Sequence, residues 1–188
     1  MSQMNGVSIL STKEWGAITQ HGELLETTPT KIILHHMFTP NPPNNISKDD
    51  VTRLAKECQT WHFGRGWVDT GQHFTISCDG TIMEGRHGSL DALVKGKCVS
   101  GAHCEGQNYN WGIELEGDHR SEYITNQQEA SLINLCALLC EKCKIDSSRI
   151  YGHSNFNNTN CPGTAILKKI SEIQQRVHDK LQSLTGAR

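Results

Sequence analysis

The sequence predicts an α/β fold: one domain with a central mixed β-sheet flanked by about three amphipathic helices. Short apolar or alternating runs, Lys31–His36 (KIILHH) and Trp111–Glu116 (WGIELE), read as strands. Two more short runs flank Cys78-Asp79-Gly80 and read as a hairpin with an Asp-Gly turn. Three other segments repeat apolar residues at helical spacing. A chain of 188 residues is long enough for one domain with a sizeable core.

The elements follow in order. Residues 1–10 read as an N-terminal extension, 11–184 as the domain and 185–188 as a tail. Lys31–His36 is a buried strand ending in histidines. Pro40, Pro42 and Pro43 make Met37–Ser47 a loop. Ser47 and Asp50 start a helix whose apolar face is Val51, Leu54, Ala55, Cys58 and Trp61, and Gly64 and Gly66 end it. Gln72–Ser77 and Thr81–Glu84 form the hairpin. Residues 87–100 read as an irregular, Gly-rich insertion. Trp111–Glu116 alternates as a half-buried strand. Thr125 and Gln128 make a capping box for a helix with a stripe of Leu132, Leu135, Cys136, Leu139, Cys140 and Cys143. Arg149–Gly152 is a short strand or turn. Pro162 opens a last helix with Ile166, Ile170, Ile173, Val177 and Leu181 on one face.

Charge and hydropathy exclude several classes. Lys+Arg number 18 against 20 Asp+Glu, a net charge of −2, so the basic excess of a nucleic-acid binder is missing. No run approaches the ~20 apolar residues of a membrane helix, so no membrane insertion is expected. The N-terminus lacks a basic segment followed by an apolar one. A signal peptide is therefore not expected, and the chain is expected to be cytoplasmic as synthesised. On that reading the eight cysteines are reduced thiols, several of them on apolar stripes.

Ten histidines invite a search for metal ligands. His35 stands at a strand end. His153 and Cys161 lie eight apart in the polar loop from Gly152 to Gly163. Cys161 precedes a helix start, where the dipole favours a thiolate. Two imidazoles and a thiolate leave a fourth zinc position open, the catalytic pattern. Taken singly, His35 reads better as a satisfied core histidine and Cys161 as an inert helix-start residue. Spacing alone does not decide.

Five groups of residues decide it by resemblance: Ser11–Ala17 (STKEWGA); Lys31–His36; Gly66–Phe74 (GWVDTGQHF) with Asp79-Gly80 and Glu84-Gly85-Arg86; Gly101-Ala102-His103 with Asn110–Gly117 (NWGIELEG); and Gly152-His153 with Cys161-Pro162-Gly163. Their order resembles the zinc amidase family that includes peptidoglycan recognition proteins and phage N-acetylmuramoyl-L-alanine amidases, from about Ser11 to Leu181. The resemblance implies the mixed-sheet fold and zinc held by His35, His153 and Cys161. It implies hydrolysis of the amide between N-acetylmuramic acid and L-alanine, with peptidoglycan or muropeptide as partner. Separately, the chain is expected to be a monomer. The alternative is a peptidoglycan-binding recognition module without turnover. Many members have a tyrosine where this chain has Gln72, and recycling amidases use instead a glutamate of the string GIELEG. The resemblance therefore assigns the assisting role to Glu114 and oxyanion support to Thr159. His36, Arg86, His103, Glu116 and Asn155 are assigned to the substrate. The insertion Ser89–Ser100 is expected to cover one end of the cleft. Without a signal peptide, the wall polymer would be reached by release or delivery.

Overall fold

A computed structural model describes residues 1–40 and 47–186. The strands β1 (Ser2–Met4) and β2 (Val7–Leu10) pair antiparallel at one edge of the main sheet. The first ten residues are thus part of the sheet rather than an extension, because Ile9 and Leu10 pair with Ile82 and Met83. The single-turn helix α1 (Thr12–Trp15) starts at a full capping box between Ser11 and Glu14. Next come β3 (Glu26–Thr27) and β4 (Ile32–His36). The expected loop over Met37–Ser47 falls largely outside the described residues. Helix α2 (Lys48–Gly64) begins at the predicted box, with Ser47 and Asp50 each closing on the other's backbone. Strands β5 (Phe74–Ile76) and β6 (Ile82–Glu84) form the predicted hairpin. Helix α3 (Ser89–Val94) and β7 (Cys98–Val99) follow, then β8 (Trp111–Leu115), α4 (Asn126–Cys143), β9 (Ile150–Gly152) and α5 (Thr164–Gly186).

The main sheet has seven strands in the order β1-β2-β6-β5-β8-β4-β9, and β3 and β7 pair separately. Its centre is parallel: β5 pairs with β8, β8 with β4, and β4 with β9. One face carries Ile32, Leu34, Phe74, Ile76, Ile113 and Leu115, packed under α4 and α5 through Leu132, Leu135, Cys136, Leu139, Ile166, Ile173 and Val177. The other face holds a smaller cluster of Leu10, Trp15, Val51, Ala55 and Met83 against α1 and α2. Period-2 alternation therefore sends Ile33, His35, Gly112 and Glu114 to the α2 side.

Several elements differ from expectation. The segment 87–100 is ordered: α3 and β7 put Leu93 and Cys98 into the main core. Gln128 does not close a capping box. Thr125 accepts from its backbone, but its own amide donates to the carbonyls of Ile76 and Glu116, tying α4 to the sheet. Trp61 leaves the core face of α2 and is 59% exposed, while Gln59 and His62 are buried. The last helix starts at Thr164, two residues after Pro162. There Gly163 lies so close to the His119 carbonyl that a Cβ would meet it at 2.3 Å. All eight cysteines are free thiols. No helix among the described residues is long and apolar enough to cross a membrane.

Beneath the sheet edge, the buried Asp69 accepts from Gln59 Nε2 (2.9 Å), from the His87 amide (2.7 Å) and from His87 Nδ1 (2.9 Å). The bond to Asp69 raises the His87 pKa. Burial alone would raise Asp69, but the bonds from His87 and Gln59 hold it low. The His87 contribution is therefore full below its unfolded value of about 6.5 and is lost as pH rises through the raised folded value. The Asp69 contribution is lost only in acid, as pH falls through its lowered value. Melting scans of wild type and His87→Gln from acid to alkaline pH are expected to differ most in mild acid. The gap is expected to close as pH climbs past the raised His87 value.

Candidate functional site

Chemistry collects at the C-terminal ends of the parallel strands, where open α/β sheets place ligands. His35 and Glu114 are register partners on β4 and β8. Strand β9 runs parallel beside β4 and hands the chain to a single 3-10 turn, His153–Asn155. The loop then returns, and the Ser154 amide bonds the Cys161 carbonyl at 2.9 Å. This brings His35, His153 and Cys161 together, with one ligand atom of each within 4.8 Å of the others. His35 Nδ1 is 3.5 Å from Cys161 Sγ, and the His35 and His153 rings are 4.6 Å apart. On their far sides, His35 Nε2 bonds His103 Nδ1 and His153 Nε2 bonds Asn157 Oδ1, each at 3.0 Å.

Burial governs the charges. It holds His35 and His153 below the usual imidazole range, in the neutral form that ligates metals. It pushes the Cys161 thiol up to about 12, which outweighs the helix-start effect expected from sequence. It raises Glu114 to about 7. Glu114 has no hydrogen-bond partner among the described residues, so its carboxyl opens onto the cleft. The two nitrogens and one sulfur fit a single divalent ion, whose charge would favour the thiolate.

The cleft over these groups measures about 510 Å³. Of the residues assigned from sequence, His35, His36, His103, Glu114, His153, Thr159 and Cys161 line it. His36 forms part of the wall, its Nδ1 accepting from the His119 amide at 3.1 Å, and burial lowers it to about 4. Three assignments are corrected. Arg86 is 4% exposed and donates to the Thr70 carbonyl at 2.6 Å, beneath the cleft rather than in it. Glu116 lies beyond the end of β8 and accepts from the Cys78 amide at the hairpin turn (2.8 Å). Asn155 turns back to accept from the Gly152 amide (2.9 Å). The segment 89–100 does not reach the cleft. It sits behind His73, whose Nε2 donates to the Val99 carbonyl at 2.7 Å.

The rim was less legible. Arg65 lies 4.3 Å from the Trp61 ring and 5.7 Å from the Trp67 ring, a cation held between two indoles. Trp67 stacks on His62 at 4.6 Å and lines the cleft. Arg120 covers the Phe38 ring at 4.0 Å on another part of the wall. The exposed Gly64-Arg65-Gly66 turn was the available signal.

Fold and cleft together define a domain of the peptidoglycan-recognition and amidase type. The N-acetylmuramoyl-L-alanine amidase family model matches residues 25–164, and the chain belongs to that family. It is 32% identical over 174 residues to peptidoglycan-recognition protein LB of Drosophila melanogaster, across 90% of this chain and 70% of that protein. A variant of Drosophila PGRP-LB solved in complex with tracheal cytotoxin superposes with a TM-score of 0.74, covering 87% of this chain and 92% of that one. The N-acetylmuramoyl-L-alanine amidase LysC from Clostridium intestinale URNW is 28% identical and superposes at 0.70, over 91% of this chain and 97% of that one. The endolysin of Enterobacteria phage T3 is 30% identical over 137 residues, 71% of this chain and 80% of that protein.

Zinc titration by calorimetry is expected to saturate at one ion per chain. Because the Cys161 thiol must lose its proton, buffers of different ionisation heat are expected to reveal proton release. Affinity is expected to fall steeply with acid.

Proposed function

We propose that the chain is a zinc-dependent N-acetylmuramoyl-L-alanine amidase acting on peptidoglycan or its muropeptide fragments. The observation that carries this reading is Glu114, half-enclosed and without a hydrogen-bond partner among the described residues, beside the His35, His153 and Cys161 donor set. The tracheal cytotoxin bound to PGRP-LB supports a muropeptide ligand, and the LysC likeness supports amide hydrolysis. Arg65 on the rim suits the carboxylates of a stem peptide.

His35, His153 and Cys161 would hold the ion, since imidazole and thiolate suit zinc. Bound zinc supplies Lewis acidity, activating water and polarising the scissile carbonyl. Glu114 takes a proton from the attacking water and returns it to the leaving amine. Thr159 Oγ accepts from the Cys161 amide at 3.2 Å, which leaves its own hydroxyl proton free to donate to the oxyanion. Gln72 cannot act as a base and belongs to the cleft wall. It also motivates the second reading, a recognition module that binds without turnover.

Incubation with muramyl peptides and sacculi, followed by mass spectrometry, separates the two. Stem peptides beginning at L-alanine are expected, and a chelator is expected to abolish them. Tight ligand binding with no cleavage supports recognition alone. Glu114→Gln is expected to lose about 10²–10⁴-fold in kcat while keeping its zinc. The base must be ionised, and burial sets Glu114 at about 7 before any cation lowers it. Wild-type kcat is therefore expected to rise with pH along an acid limb at or below neutrality, and Glu114→Gln is expected to lack that limb.

A further inference from the structure

His103 was assigned to the substrate, yet its ring is committed to protein on both nitrogens. Its Nε2 lies 3.0 Å from the Asn110 carbonyl, which can only accept, so Nε2 carries the proton. Its Nδ1 is then an acceptor, and its partner at 3.0 Å is His35 Nε2. His35 must donate there, which leaves the His35 Nδ1 lone pair facing Cys161 Sγ. The same logic applies to His153. Asn157 Nδ2 faces the Glu105 carbonyl (3.5 Å), which turns its Oδ1 toward His153 Nε2. That oxygen accepts, so His153 Nε2 carries the proton and Nδ1 is free.

The support is built rather than incidental. A Cβ on Gly112 would meet the His103 ring at 2.6 Å, and one on Gly101 would meet it at 2.7 Å. The ring is wedged where only glycines leave room. Asn108 Oδ1 accepts from the amides of His103 and Cys104 at 2.8 and 2.9 Å, which fixes the backbone behind the ring. Cys104 Sγ also donates to Asn157 Oδ1 at 3.1 Å. One short segment, residues 101–110, therefore steadies both histidines.

We infer that His103 and Asn157 are positioning residues that hold His35 and His153 as Nε2–H tautomers, so that both present Nδ1 to the metal. This rests on the metal-site reading above and extends it from the ligands to what orients them.

Two measurements on the full chain test it. In the metal-free protein, long-range proton–nitrogen correlation spectra are expected to show both His35 and His153 protonated at Nε2. An Nδ1–H form at either would overturn the inference. Zinc affinity, read by chelator competition, is expected to fall about 10–100-fold in His103→Ala and in Asn157→Leu. His103→Asn places an amide oxygen where Nδ1 stood, and Asn157→Asp keeps the acceptor. Both are expected to recover most of the loss and to restore the wild-type cobalt(II) absorption spectrum. If His103→Ala does not fold, Asn157→Leu, at a half-buried loop position, carries the same test. Folded alanine and leucine variants that bind zinc as tightly as wild type, with unchanged cobalt spectra, would overturn the positioning role alone. Failure of the wild-type chain to bind zinc would overturn the metal site itself.

Discussion

The parallel register of β4 against β8 is the constraint on which the site depends. Five pairs run from Ile32↔Trp111 to His36↔Leu115. On one side, Ile32, Leu34, Trp111, Ile113 and Leu115 are fully buried in the main core. Each such side chain is worth roughly 1.5–3 kcal/mol against exposure, so the pairing is held by many times the energy of any polar contact in the cleft. A slip by one residue would turn the whole set over and carry His35 or Glu114 into the apolar layer. The hydrophobic core thus fixes the chemistry on the opposite face. Strand β9, locked to β4 at Ile32↔Ile150 and Leu34↔Gly152, delivers His153 from the same frame.

Desolvation gives the cleft its electrostatic character. It is the largest influence on His35, His153, Glu114 and Cys161 alike, and in each case it favours the neutral form. For the histidines that is the ligating form. For Cys161 and Glu114 it opposes the form that the proposed chemistry would need, and a bound divalent cation would be the charge that reverses it. One low-dielectric pocket can therefore keep two imidazoles neutral and still hold a thiolate and a carboxylate beside one ion. His103 and Asn157 act on direction rather than charge: they decide which nitrogen of each ring faces inward.

The sequence made legible what obeys local rules. The strands Lys31–His36 and Trp111–Glu116, the three long helices and the Asp-Gly hairpin all follow from alternation, helical spacing and turn chemistry. The donor set emerged because its motifs keep a recognisable order, although spacing alone left His35 open. What failed was tertiary. Residues 1–10 read as an extension, yet β2 pairs with β6, some seventy residues away, and β1 pairs onto β2. Segment 87–100 has little periodicity because α3 and β7 are short and borrow their burial from the main core. Arg86 and Glu116 show why residue type does not locate a side chain. An arginine can sit beneath a cleft on one backbone carbonyl, and a glutamate one step past a strand end can turn to a neighbouring amide. Trp61 broke the helical-stripe reading because the stacked guanidinium of Arg65, rather than the core, is its partner.

Gln72 is best understood from below the cleft. It is 3% exposed, and its two amide hydrogens go to Thr75 Oγ1 at 2.9 Å and Cys58 Sγ at 3.3 Å. Thr75 is the register partner of Glu114 on β5, as His35 is on β4. Burial and the nearby Glu114 push the Cys58 thiol up, so it stays uncharged. Gln72, Thr75 and Cys58 therefore form a neutral floor in which both Gln72 amide hydrogens are taken up by its two neighbours. With both amide hydrogens committed there, Gln72 offers no donor to the Glu114 carboxylate, and a donor from that position would have lowered its pKa and its basicity. Glu114 is also the only carboxylate among the described residues that line the cleft. A glutamine at position 72 leaves that carboxylate as basic as its burial makes it, which is the condition for one residue to both accept and return the proton.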